Sequence, residues 1–180
     1  MNVKEAINLR KSIRKYQDKQ IPEEIIVELL DAARKAPSAK NTQSHRYFIV
    51  NDQGTKDKLI KHNVFRRPFV YEAPLIIICC ADPTQYPKGV DIDECPSNYA
   101  YIDLSIAASF LVLRATELGL GTVFVAWMYR DKIKKIFNIP KNYIIPFVIP
   151  VGYPAEDPSP RPRKDLNEII CAGSDLQSEL

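Results

Sequence analysis

Histidine is nearly absent from this sequence: 180 residues include two, His45 and His62. The four cysteines, Cys79, Cys80, Cys95 and Cys171, form no C-x-x-C pair. No metal-ligand spacing results, so we expect no metal site. Cys79 and Cys80 are adjacent in an apolar run and read as structural thiols. Glycine-rich phosphate loops are missing as well, with neither G-x-G-x-x-G nor G-x-x-x-x-G-K present. Gly119-Leu-Gly121 follows a helical pattern, where a C-cap accounts for it. No Ser/His/Asp arrangement stands out.

Long apolar runs are lacking too. The longest, Leu75 to Ala81 and Ile144 to Val151, fall far short of a bilayer span. MNVKEAINLRKS has no apolar core of signal-peptide length. The expectation is a reduced, cytoplasmic protein with no membrane partner. A net charge of +3, with no stripe of cations interleaved with aromatics, gives no reason to expect nucleic acid. The composition, 46% hydrophobic and 26% charged, is that of a globular chain. At this length one domain, residues 1–180, needs no disulfide staples.

The pattern that is present alternates helix and strand. Val3, Ala6 and Ile7 mark one face of a first helix ending near Leu9 to Lys11. Pro22-Glu23-Glu24 opens a second, with Ile25, Ile26, Leu29, Leu30 and Ala33 at helical spacing. Arg46 to Val50 reads as a strand. Thr55 to His62 reads as a helix with Leu59 and Ile60 inward. Val64 to Glu72 is ambiguous. Leu75 to Ala81 has the pattern of a strand buried on both faces. The long loop from Asp82 to Asn98 is of a length that often serves as a lid or binding element.

Tyr99 to Leu118 is apolar nearly all round, which predicts a helix buried in the core. Thr122 to Met128 reads as a third strand and Arg130 to Phe137 as a short basic helix. Tyr143 to Val151 reads as a fourth strand, at an edge or bulge because of Pro146 and Pro150. Residues 153–180 are Pro-rich at first and read as an extended arm. An arm that does not fold on its own chain commonly packs on a partner subunit. The class is α+β, a mixed sheet flanked by helices.

Three polar stretches carry chemistry. In Arg10-Lys11-Ser12-Ile13-Arg14, alternate side chains of an extended chain would put two guanidinium forks beside a hydroxyl, a donor set for a phosphate monoester. Cations favoured by a helix C-terminus explain the same run. Ser38, Asn41 and Gln43 in PSAKNTQSH offer uncharged donors and acceptors, either for an amide-bearing heterocycle or for an ordinary Asx-rich loop. Arg161-Pro162-Arg163-Lys164 repeats the alternating pair. Two such pairs at opposite ends of the chain make an anion grip more plausible than either alone.

Together these stretches resemble the FMN-dependent nitroreductase family over nearly the whole chain. RKSIRKY at 10–16 is similar to its N-terminal phosphate motif, and APSAKNTQ at 36–43 to its P-S-x-x-N-x-Q loop. YIDLSIAASFLVLRATELGLGTV at 101–123 is similar to its long central helix, and VGYPAEDPSPRPRKDLNEII at 151–170 to its basic arm. The resemblance implies a homodimer whose arms embrace the twin subunit, with FMN at the interface. Arg10, Lys11, Ser12, Arg14, Arg161 and Arg163 would hold the phosphate and ribityl groups. Ser38, from the other subunit, Asn41 and Gln43 would contact the same flavin. Backbone N–H groups near Ala126 and Trp127 would approach the nitrogen that takes the hydride.

NAD(P)H would donate, and nitro compounds, quinones or related acceptors would be reduced in a ping-pong cycle. No side-chain acid or base is required. Relatives that cleave flavin with oxygen or dehalogenate aromatics are alternatives, as is a non-catalytic flavin-binding module. Two departures from the pattern bear on substrates. Gln43-Ser44-His45 stands where Gln-Pro-Trp is usual. Trp127 stands where small residues are common, and there it would fill part of the acceptor pocket.

Overall fold

A computed structural model describes residues 1–86 and 96–170. Cys95 and Cys171, and most of the loop expected over 82–98, lie outside the described residues. The helices are α1 (Val3–Leu9), α2 (Glu23–Arg34), α3 (Gln53–Lys61), α4 (Phe69–Glu72), α5 (Pro96–Glu117) and α6 (Arg130–Phe137). The strands are β1 (His45–Val50), β2 (Leu75–Ala81), β3 (Gly121–Thr122) and β4 (Ile144–Gly152), in the order β1-β2-β4-β3. All named strands pair antiparallel. Among the described residues the sheet is mixed only through the parallel bridge between Ser12 and Thr122.

β2 is buried at every position because both its faces are covered. Leu75, Ile77 and Cys79 face a core shared with α2 and α5. Ile76, Ile78 and Cys80 face a second core with Leu59, Phe65 and Ile133. Burial raises both thiols, Cys80 to about 12, so both stay protonated and behave as packing groups.

Several expectations need correction. Of the two alternatives for β4, edge or bulge, the edge fails, because β4 lies between β2 and β3. Its prolines are accommodated individually. Pro146 sits where the register with β2 shifts between Cys79 and Ala81, which is a bulge position. Val148 exchanges backbone bonds with Val125. Pro150, two residues on, turns its missing N–H to the same side, where β3 has ended its pairing at Thr122 and Val151. The third strand is correspondingly short. Beyond Thr122 an isolated bridge joins Val125 to Val148 of β4, and Met128 bridges Phe65 instead.

α5 is long and apolar enough to cross a membrane by length and composition, but it is the core helix of this fold. It packs on α2, α1 and the sheet. It is not buried all round: Tyr101, Ile102 and Phe110 are 45%, 52% and 42% exposed. The sheet covers only one side of it. On α1 only Ala6 is buried, and Val3 and Ile7 face outward. On α3 Leu59 points inward and Ile60 outward.

The N-terminal segment lies close against the end of the sheet. Ile13 is buried and donates its N–H to Thr122 O at 3.0 Å. A Cβ on Gly121 would stand 2.6 Å from Ile13 Cβ. We therefore expect Gly121→Ala to destabilise the fold by about 1–3 kcal/mol. Adding Ile13→Ala should cost less than the two single changes summed, as read by chemical denaturation. Strict additivity would show that the contact carries no strain.

Candidate functional site

Residues 12–17 run extended and are tied on two sides. Ser12 bridges Thr122 at the end of β3. On the other side Gln17 N donates to Tyr153 O at 2.9 Å and Ala155 N to Lys15 O at 3.0 Å. The arm is thus zipped onto the N-terminal segment from its first residues. Arg14 N donates to Glu156 Oε1 at 2.6 Å, and Lys11 Nζ pairs with Asp157 Oδ1 at 2.6 Å.

The zipper brings the two arginine pairs to one cleft of about 570 Å³. Its lining includes Arg10, Ser12, Arg14, Ser159, Arg161 and Arg163. Among the described residues neither Arg10 nor Arg161 has a carboxylate partner. The side chains of Arg14 and Arg163 donate only to carbonyls close in sequence, Ser12 O at 3.2 Å for the first, Arg161 O at 3.1 Å and Pro162 O at 3.3 Å for the second. Lys11 also lines the cleft, but its charge is already met by Asp157. The cleft therefore presents clustered guanidinium groups and a hydroxyl, which suit a phosphate-sized anion.

The 37–44 loop is the second part. Lys40, Asn41 and Gln43 have φ of 50°, 55° and 47°, left-handed values that cost energy without glycine. Ser38 Oγ accepts from Gln43 N at 3.0 Å, and Gln43 Nε2 donates to Asn41 O at 3.3 Å. Asp103 on α5 anchors the loop. Its Oδ2 accepts from Ala39 N at 3.0 Å and from Tyr86 Oη at 2.6 Å, and Tyr86 Oη lies 3.0 Å from Ser44 Oγ. Asp103, Tyr86 and Ser44 are all buried. Burial, then the carboxylate, raises the Tyr86 hydroxyl and keeps it a donor. Sequence reasoning missed Asp103 and Tyr86. The available signal was an acid amid the apolar stretch of a helix, a position an acid occupies only when it is bonded.

This loop is not beside the cleft of its own chain. Thr116 of α5 borders the Leu9–Lys11 end of the molecule. At 1.5 Å per residue it stands about 20 Å along the helix from Asp103.

Ala126 and Trp127 form the third part. Thr122 pairs with Ser12, and Ala126 is four residues on, within about 14 Å of chain. Arg130 fixes this turn by donating to Ile145 O at 2.7 Å, Pro146 O at 3.0 Å and Ala126 O at 3.2 Å. Trp127 O accepts from Arg66 N at 3.3 Å. Among the described residues the Ala126 and Trp127 N–H groups have no backbone acceptor. The Trp127 ring lies largely at the surface. It is 58% exposed, with the Arg67 guanidinium 4.9 Å from its centroid.

Comparison with solved structures identifies the fold. A nitroreductase family protein from Clostridium difficile matches with a TM-score of 0.81 and 31% identity, over 94% of this chain and 97% of its own. A structure from Exiguobacterium sibiricum that contains FMN matches with a TM-score of 0.86 over 96% and 98%, at 19% identity. Among sequences, a Methanothermobacter thermautotrophicus protein is 37% identical over 94% of this chain and 86% of its own. It bears the provisional name NADH dehydrogenase/NAD(P)H nitroreductase. A Thermotoga neapolitana iodotyrosine deiodinase is 26% identical over 89% and 91%. The Nitroreductase family model matches residues 7–65 and 61–153. The chain belongs to the Nitroreductase family.

Two outcomes test the loop anchor. Asp103→Ala removes the acceptor of the half-buried Ala39 N–H and leaves Tyr86 Oη with Ser44, and should cost roughly 1–3 kcal/mol in denaturant unfolding, whereas Asp103→Asn, whose amide oxygen still accepts, should cost less. His45 begins β1 directly after the loop. Burial first, and the Arg46 charge second, hold its imidazole below the ordinary value of 6.5. The unfolded chain then binds more protons between the two values. His45's contribution to stability is complete above about pH 6.5 and declines as pH falls through the folded value. In a pH series of unfolding curves, His45→Gln should flatten this decline.

Proposed function

We propose that this protein is an FMN-dependent oxidoreductase that takes hydride from NAD(P)H and reduces nitro compounds, quinones or related acceptors in two half-reactions. The observation that carries this reading is the cleft in which Arg10, Ser12 and Arg14 meet Arg161 and Arg163. Among the described residues its four arginines have no carboxylate partner, which leaves them available to an anion. FMN, when bound, supplies the two-electron chemistry, and the protein supplies position and electrostatics.

Arg10, Ser12, Arg14, Arg161 and Arg163 hold the phosphate. Lys11 contributes by holding the arm in place through Asp157. The free Ala126 and Trp127 N–H groups serve as donors to the reacting edge of the ring system, their turn kept rigid by Arg130. Such donors favour the electron-rich state without reorganising. Ser38, Asn41 and Gln43 contact the flavin held by a second copy. That assignment suits the separation of about 20 Å along α5 between the loop anchor and the cleft end of its own chain.

The same reading makes the protein a homodimer. Val3 and Ile7 on α1, and Ile102 and Phe110 on α5, expose apolar surface that a second copy would cover. Residues 1–180 act as one domain whose arm, 153–180, reaches the twin subunit. Two buried free thiols, Cys79 and Cys80, suit a reducing cytoplasm. Sedimentation should give a dimer, and a monomer with a protease-sensitive arm would overturn this assembly.

The similarity to a deiodinase favours one second reading, reductive dehalogenation. Iodide release from iodotyrosine under reductant, with no turnover of nitro or quinone acceptors, would select it.

An absorbance spectrum tests the main reading. The purified protein should be yellow, or become so with FMN, and should bleach under anaerobic NADH or NADPH. A protein that neither retains nor rebinds FMN overturns it. Arg10→Ala and Arg14→Ala should each raise the FMN Kd about tenfold or more, with the fold intact by circular dichroism. Full flavin content in both variants would remove the cleft from the site.

A further inference from the structure

A second concentration of unneutralised charge surrounds the one tryptophan of the chain. Arg67 lies over the Trp127 ring at 4.9 Å. Arg66 and Lys132 flank the Tyr129 ring at 4.6 Å and 4.3 Å. Lys132 Nζ also donates to His62 O at 2.7 Å. Among the described residues none of Arg66, Arg67, Arg130 and Lys132 has an ion-pair partner. Arg66 and Arg67 are exposed. Arg130 and Lys132 spend their donors on carbonyls, so Arg66 and Arg67 are the two charges left for a ligand.

The chemistry of this face is specific. An exposed indole offers a planar stacking surface, and a guanidinium laid against it offers a fork that carboxylate, sulfonate or phosphate fits. A ring bearing an anionic group meets both needs at once, whereas a neutral ring meets only one. The face is also continuous in sequence with the free N–H groups of Ala126 and Trp127.

We propose that Arg66, Arg67 and Trp127 form a recognition site for an aromatic ligand that carries an anionic group. This rests on the oxidoreductase reading for its role, which is to select which electron donor or acceptor docks beside the flavin. Two sources share the chemistry: an acceptor with an acidic substituent on its ring, or the additional phosphate of NADPH. Arg67 acts by contacting the ligand, and Trp127 by stacking on it.

The single tryptophan supplies a direct test, since intrinsic indole fluorescence reports only this face. Titrations use 4-nitrobenzoate against the neutral 4-nitrobenzamide, and NADP+ against NAD+. The wild-type protein should bind the more negatively charged member of at least one pair about tenfold more tightly. Arg67→Ala should abolish that ratio, Arg67→Lys should keep part of it, and Arg66→Ala should lower it. A ratio confined to the benzoate pair assigns the acceptor, and one confined to the nucleotide pair assigns the donor. Equal binding within both pairs, or a ratio that survives Arg67→Ala, overturns the proposal. The readout requires neither flavin nor turnover. A flavin-loaded protein that turns over 4-nitrobenzamide but shows no ratio refutes this inference alone. A protein that never takes up FMN refutes the oxidoreductase reading, and the titration still decides the anion site.

Discussion

The extended segment from Ser12 to Gln17 is the constraint on which the rest of the site depends. A chain leaving a seven-residue helix has backbone groups to satisfy, and here they are met on two sides. Thr122 takes one side and the first residues of the arm take the other. Gly121 and Gly152 admit the close approach. A Cβ on Gly152 would fall 2.7 Å from both Pro74 and Tyr16, as one on Gly121 would crowd Ile13. Without those two missing side chains the N-terminal segment could not lie between sheet and arm. The two arginine pairs would then remain separate charge runs at opposite ends of the sequence.

Behind this zipper stands a sheet with unequal cover. β2 is fully buried because helices lie on both its faces. α5 has the sheet on one side only, and Arg114 secures its last turn through ion pairs with Glu28 and Glu117. The open side carries aromatic and branched residues that a solvent-facing helix ordinarily lacks. Burial of Asp103 on the same helix is the counterpart: a carboxylate enters the core only where Ala39 and Tyr86 supply its donors. One helix thus carries three kinds of surface. Each follows from what lies against it.

The sequence made most elements legible because their periodicities were strong. α6 was read to its exact ends, and β2 announced itself by seven apolar residues in a row. The resemblance that joined RKSIR to the basic arm identified residues that the folded chain brings to one cleft. What failed were inferences that depend on neighbours. Pro146 and Pro150 left an edge or a bulge open, and only the neighbouring strands decide: Pro146 sits at a bulge and Pro150 beyond the end of β3. The apolar run of α5 argued for complete burial, but periodicity counts apolar residues without saying whether the same chain covers them. Asp103 and Tyr86 were invisible as a pair because nothing in sequence spacing links a helix to a loop 17 residues away. The contact of Trp127 with Arg67, far off in sequence, was likewise not legible.

The balance of charge argues more through its partition than through its sum. A net charge of +3 is unremarkable for 180 residues. Many cations, however, are committed inside the fold. Lys11 answers Asp157, and Arg34 and Lys35 answer Asp31. Arg114 answers two glutamates, and Arg130 is spent on three carbonyls. Lys56, buried and with its pKa lowered chiefly by that burial, gives its ammonium to Ala73 O at 2.7 Å. Arg46 donates to Gln43 O and His45 O; removing it with the committed groups leaves guanidinium charge concentrated at two places, the zipper cleft and the rim of Trp127. Both lie along the segment that begins where Thr122 meets Ser12 and ends at Tyr129. Surface arginines scattered for solubility would not divide this way. Two foci along one short stretch are the arrangement expected where an anionic ligand is held at one end and a second charged molecule must dock at the other.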